Sequence, residues 1–206
     1  MLPRRDLLEG ARDPEALEAL IQQAEVVLRT YQPSWSAFLT APQREEAEER
    51  FAPLEELHLR SDGGFPQAER RLLQISRSDQ AADTGEPAPL ALIEVSGNFL
   101  FDPADPAAIR AALIDQHSTD PLSLGDVLVR GDRGALVIVT SAAATTLLER
   151  SLQVRSVECQ LQAGDWSRLP TQASSSKSLT SVEASLRLDA IASAGFGVSR
   201  SKMASW

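Results

Sequence analysis

The chain has 206 residues, 43% of them hydrophobic, and a formal net charge of −9. That length and apolar content suffice for one large or two small domains with a core, while the acidic balance excludes a protein that coats nucleic acid wholesale but leaves room for a small basic site. A single cysteine excludes an intrachain disulfide framework and points to a reducing, cytoplasmic setting, and no apolar run approaches the ~20 residues of a membrane helix.

The start, MLPRRDLLEGARDPE, carries a twin arginine without the apolar stretch of an export signal. Asp13 is placed to cap a helix with Pro14 at its first position. Leu17, Leu20, Ile21, Ala24, Val27 and Leu28 supply its apolar stripe to about Thr30. Thr40 and Gln43 form a capping-box pair, with Pro42 near the start of the charged helix QREEAEERF. A short strand is predicted over 54–59, then a turn at Gly63 and Gly64, then a third helix, PQAERRLLQI. Arg70 and Arg71 on that helix are candidates for secondary phosphate contacts, set against the plainer reading of a solvated face beside Glu69. Residues 78–89, SDQAADTGEPAP, read as a linker, so 1–80 forms a mainly helical subdomain.

Residues 81–165 have a clearer order: a strand at 90–96, a helix from Asp105 and Pro106 to about 115, strands at 127–129 and 135–140 around a turn at 131–134, a helix over 142–151, and a closing strand at 154–161. Strand, helix, strand, strand, helix, strand is the split βαβ pattern of ferredoxin-like domains, RNA-recognition modules included. ALVIVT is apolar on both faces, as suits a central strand. The aromatic platform on which such modules stack bases is missing from the strands at 90–96 and 135–140. Phe99 and Phe101 lie in the GNFLFDP loop beyond the first strand. One of them could reach a base, and at least one is expected in the core. The fold class is therefore α+β, with the sheet open to a second reading as a protein-docking surface.

Enzyme chemistry finds no catalytic constellation. His58 and His117 stand far apart without metal-ligand spacing and read as surface or structural residues. Cys159 shares strand parity with Val157 and Leu161 and so points into the core. There is no phosphate loop with a lysine, and Glu45, Glu46, Glu48 and Glu49 have the spacing of a solvated helix face. No cofactor and no metal are expected.

After a linker over 166–180, residues 181–206 change character. From Thr180 on, three basic residues stand against two acidic ones, so the tail is about +1 and the remainder about −10. Leu188, Ile191 and Ala192 fall on one helical face. Thr180 with Glu183 could open the helix, and Ser185 is an equally legal start. Gly195 is placed to end it, and Ser199 to cap a second helix beginning at Arg200 and carrying Lys202. Cations at a helix start oppose the macrodipole unless a phosphate joins them and the free N–H groups. The plainer reading is two solvated charges on an ordinary helical hairpin.

The tail RLDAIASAGFGVSRSKM resembles the opening of an S-four RNA-binding domain, whose signature Arg-Leu-Asp and Ser-Arg correspond to Arg187-Leu188-Asp189 and Ser199-Arg200. With MLPRRDLLEGARDP, FLTAPQREEAEERF, GGFPQAERRLL, GNFLFDP and LGDVLV, nearly the whole chain resembles the cyanobacterial and plastid photosystem II S-four domain proteins, grouped with the YlmH-like proteins. The resemblance implies a non-enzymatic protein that binds rRNA or tRNA on the ribosomal large subunit, with no DNA or membrane partner. By resemblance, Arg187, Ser199, Arg200 and Lys202 contact RNA. The family's domain continues into a β-hairpin that this sequence does not show, so the tail is expected to be an incomplete S-four domain. The alternative is an assembly factor that docks a protein partner through the acidic body.

Overall fold

The computed structural model describes residues 2–80, 86–169, 187–197 and 199–203, apart from the side chains of Gln80, Asp189 and Arg200. The expected helix starts at Thr180, Glu183 and Ser185, residues 170–180 of the second linker, and 81–85 of the first lie outside the described residues. The chain divides into two compact units, Met1–Thr171 and Gln172–Trp206. The fold is α+β.

The first unit opens with α1 (Arg4–Leu8), α2 (Pro14–Thr30), β1 (Ser34–Trp35), α3 (Ala41–Phe51), β2 (Leu57–Asp62) and β3 (Leu72–Arg77). Asp13 caps α2, its carboxylate accepting the Ala16 N–H at 3.1 Å, and the expected stripe is buried at Leu17, Leu20, Ile21, Ala24 and Val27. Gln43 joins the starts of two helices. Its Oε1 accepts the Thr40 N–H at 2.8 Å, and its Nε2 donates to Asp13 at 2.7 Å.

The predicted third helix is a strand. β3 lies between β1 and β2 in an antiparallel three-stranded sheet. Residues 72–76 are all buried, so ladder pairing and two-sided packing override the helix propensity of ERRLLQ. Leu73 and Ile75 face α2 and α3, while Leu72 faces the other way, toward the central sheet.

That second sheet is built from β4 (Leu90–Ser96), α4 (Pro106–His117), β5 (Leu124–Val129), β6 (Gly134–Thr140), α5 (Ser141–Leu147), β7 (Ser151–Val154) and β8 (Val157–Ala163). The strand order β5-β6-β4-β8-β7 is antiparallel throughout, the ferredoxin-like order with one strand added at an edge. The expected single closing strand is a hairpin turned at Arg155, whose φ is 51°. Ile93, Val95, Val137 and Val139 pack against Ile109 and Leu113 of α4 and Leu147 of α5. At the β7 edge, the Gln116 carboxamide donates to the Gln153 carbonyl at 2.6 Å and accepts its N–H at 2.9 Å.

The opposite face of the central sheet is covered by the first sheet. Leu92, Leu136 and Ile138 are buried with Phe38, Leu72 and Leu169 in one apolar layer. Gly125 permits this approach: a Cβ there would stand 2.7 Å from the Phe38 ring.

One carboxylate breaks the expected solvated face of α3. Glu46 is buried at 4% exposure and accepts the Arg12 N–H at 2.7 Å and the Asp13 N–H at 3.1 Å. These bonds, Arg12 first, together with the Arg12 and Arg50 charges, hold its carboxyl below the ordinary 4.5. Asp13 is likewise held below 3.8, by the Gln43 amide and then the Ala16 N–H. With folded values depressed, the unfolded chain takes up protons first as pH falls. The stabilisation is complete above the ordinary values and is lost as pH drops through the folded ones. Glu46→Gln should therefore lower the urea midpoint at neutral pH and flatten its decline below about pH 4.5, as urea titrations across that range will read.

Candidate nucleic-acid interface

In the second unit, α6 (Leu188–Phe196) and α7 (Arg200–Met203) form a helix-turn-helix. Arg187 is the residue before α6, its carbonyl accepting the Ala190 and Ile191 N–H groups at 3.1 Å each. The helix ends at Gly197 rather than the expected Gly195. Gly197 is the left-handed residue (φ 64°), and its N–H returns to the Ser193 carbonyl, so the helix runs one half-turn further than its apolar spacing indicates. Ser199 caps α7, its hydroxyl accepting the Lys202 N–H at 3.3 Å and its carbonyl the Met203 N–H at 3.0 Å. Arg187, Ser199 and Lys202 are exposed, and Arg200 begins α7. Ala190 is buried, whereas Leu188 and Ile191 of the expected apolar face are 81% and 47% exposed.

Arg70 and Arg71 have different surroundings once β3 replaces the helix. The Arg71 guanidinium donates to the Ala68 carbonyl at 2.9 Å and the Pro66 carbonyl at 2.6 Å, and its backbone pairs with Leu39. It holds the loop before β3. Arg70 lines a cleft of about 620 Å³ between that loop, the start of α4 and β5. Arg110 lines the same cleft and donates to the Leu124 and Gly125 carbonyls, where a bulge in β5 interrupts its pairing with β6. Asp126, at the bulge, accepts the Glu69 N–H at 2.7 Å and the Arg70 N–H at 3.1 Å. Arg110 was not legible as a site residue; the only trace was a lone cation in the apolar helix sequence AAIRAAL.

The missing aromatic platform has a structural counterpart. The β4 and β6 side chains that would meet bases are Leu92, Leu136 and Ile138, and the first sheet covers them. Phe99 is buried in the core, and Phe101 is 91% exposed on the loop before α4. Arg155 bonds Asp102 and Asp105 at the base of that loop. His58 is exposed, and the His117 Nε2 lies 3.0 Å from the Ser151 carbonyl. Cys159 is fully buried, and burial pushes its thiol up from its ordinary range. Among the described residues, no three His, Cys, Asp or Glu side chains stand close enough to hold a metal, and no helix is long and apolar enough to cross a membrane.

The geometry defines the class: a two-sheet α+β protein with a ferredoxin-like central sheet. Residues 12–80 match the family described as YlmH, N-terminal. Among solved structures, the cell division protein ylmH from Streptococcus pneumoniae has a similar fold, with a TM-score of 0.59 and 17% identity over 77% of this chain and 94% of that one. No curated protein matches the chain.

Proposed function

We propose that this is a YlmH-like protein of a photosynthetic organism that binds structured RNA, rRNA or tRNA on the ribosomal large subunit, through the helix-turn-helix of its tail. It acts in the cytoplasm as a binding protein and not as an enzyme. The match of residues 12–80 to the YlmH N-terminal family carries this reading; in it the contact is the Ser199-capped start of α7, with Arg200 and Lys202, together with Arg187 at the other end of α6. In this reading Arg200 and Lys202 hold phosphates through their side chains at the start of α7, and Arg187 adds a third contact. The covered central sheet leaves the usual base-stacking face unused, so recognition runs through phosphates and RNA shape.

Each of Arg187→Glu, Arg200→Glu and Lys202→Glu should weaken binding on the order of tenfold and reduce the log–log salt slope by about one. Anisotropy titrations of the full-length protein with labelled tRNA and rRNA fragments will measure this. Unchanged affinity in all three variants would remove the site. Partners that survive nuclease in a pull-down would favour docking of a protein on the acidic body instead.

A further inference from the structure

The cleft between the loop before β3, the start of α4 and β5 places two guanidinium groups together without a described carboxylate to pair either of them. Arg70 and Arg110 both line it and both are half-buried. Neither forms an ion pair with any described acidic side chain, although Glu69 and Asp126 share the lining. The Asp126 carboxylate is held by two backbone N–H groups. Arg110 donates to two carbonyls of the β5 bulge, which leaves further guanidinium N–H groups and brings no carboxylate into direct pairing with it. Burial first, and then the like charge of Arg70, push the Arg110 guanidinium down from its ordinary value, with Asp126 only partly offsetting them. An anion in the cleft would offset the repulsion between the two guanidinium groups.

We infer that this cleft is a second phosphate site, in which Arg70 and Arg110 together grip the phosphodiester backbone of RNA. The inference rests on the RNA reading of the tail. Its volume of about 620 Å³ lies within the ~300–1,000 Å³ of ligand clefts. Planar guanidinium forks suit phosphate oxygens. Arg70 is the gripping residue that a variant can remove cleanly, since its side chain bonds no described residue. Arg110 also holds the bulge, so its loss would disturb β5. Arg71, fixed on the Ala68 and Pro66 carbonyls, takes no part.

The test uses full-length protein, a labelled hairpin RNA and a potassium chloride series. Arg70→Gln should weaken binding several-fold and reduce the log–log slope by about one, and Arg70→Glu should weaken it further. Arg71→Gln should lower the urea midpoint while leaving the slope in place. In a parallel titration, inorganic phosphate should shift the amide resonances of Arg70 and Arg110 in the wild type, and the Arg110 shift should be lost in Arg70→Gln. Unaltered affinity and slope in both Arg70 variants, while Arg187→Glu and Lys202→Glu still weaken binding, would overturn the cleft and leave the tail standing. Wild-type protein that does not hold the hairpin would overturn both.

Discussion

Gly134→Ala should destabilise the first unit by about 3 kcal/mol or more. Gly134 opens β6 with φ 118°, where side chains with a Cβ are strained, and the added carbon would stand 1.9 Å from the Val95 carbonyl oxygen. Val95 is fully buried in the middle of the sheet. The obstacle is therefore backbone, and it can move only by parting β4 from β6. Gly131 supplies the control. It also has a positive φ, 62°, but nothing lies within 4 Å of its missing Cβ, so Gly131→Ala should cost only the left-handed strain, about 1–2 kcal/mol. Urea midpoints of the two variants will separate collision from strain.

Phe38→Ala should cost about 3–5 kcal/mol, the range for truncating a packed aromatic ring. Phe38 is 1% exposed and lies between the two sheets, against Gly125 and in the layer that holds Leu72, Leu92, Leu136 and Ile138. The hole would open at the contact between sheets and not inside either. Amide exchange should consequently rise together in β3 and β6, ahead of α2. Phe101→Ala, at 91% exposure, should stay within about 0.5 kcal/mol of the wild type. If Phe38→Ala matched Phe101→Ala, the layer would not be what joins the sheets.

What the sequence disclosed divides along physical lines. The caps of α2 and α3, the stripe of α2, and the strands β4 and β6 were legible because each depends on residues near in sequence. β3 was misread because arginine, leucine and glutamine favour a helix. The alternation of Leu73 and Ile75 against Gln74 and Ser76, a period of two, was the competing signal. The β7–β8 hairpin was merged into one strand because its turn uses Arg155 at φ 51° without a glycine. ALVIVT declared two buried faces, but not that β3 and Phe38 cover one of them. Among candidate site residues, the sequence marked Arg187, Ser199, Arg200 and Lys202, and Arg70 and Arg71 alike; only the fold separates Arg70, on the cleft, from Arg71, on the Ala68 and Pro66 carbonyls. Arg110 could not be found, since its place beside Arg70 depends on a bulge and on packing between distant segments.

The Gln116 carboxamide at the β7 border has a consequence for chains meeting in concentrated solution. Gln153 turns its N–H and carbonyl away from β8, the arrangement through which a sheet recruits a foreign strand. Both groups are already engaged by one side chain, which stands in for a sixth strand a single residue long. The border is thereby closed to templated growth, and a peptide seeking to extend the sheet there would first have to displace an amide that the protein carries on its own helix.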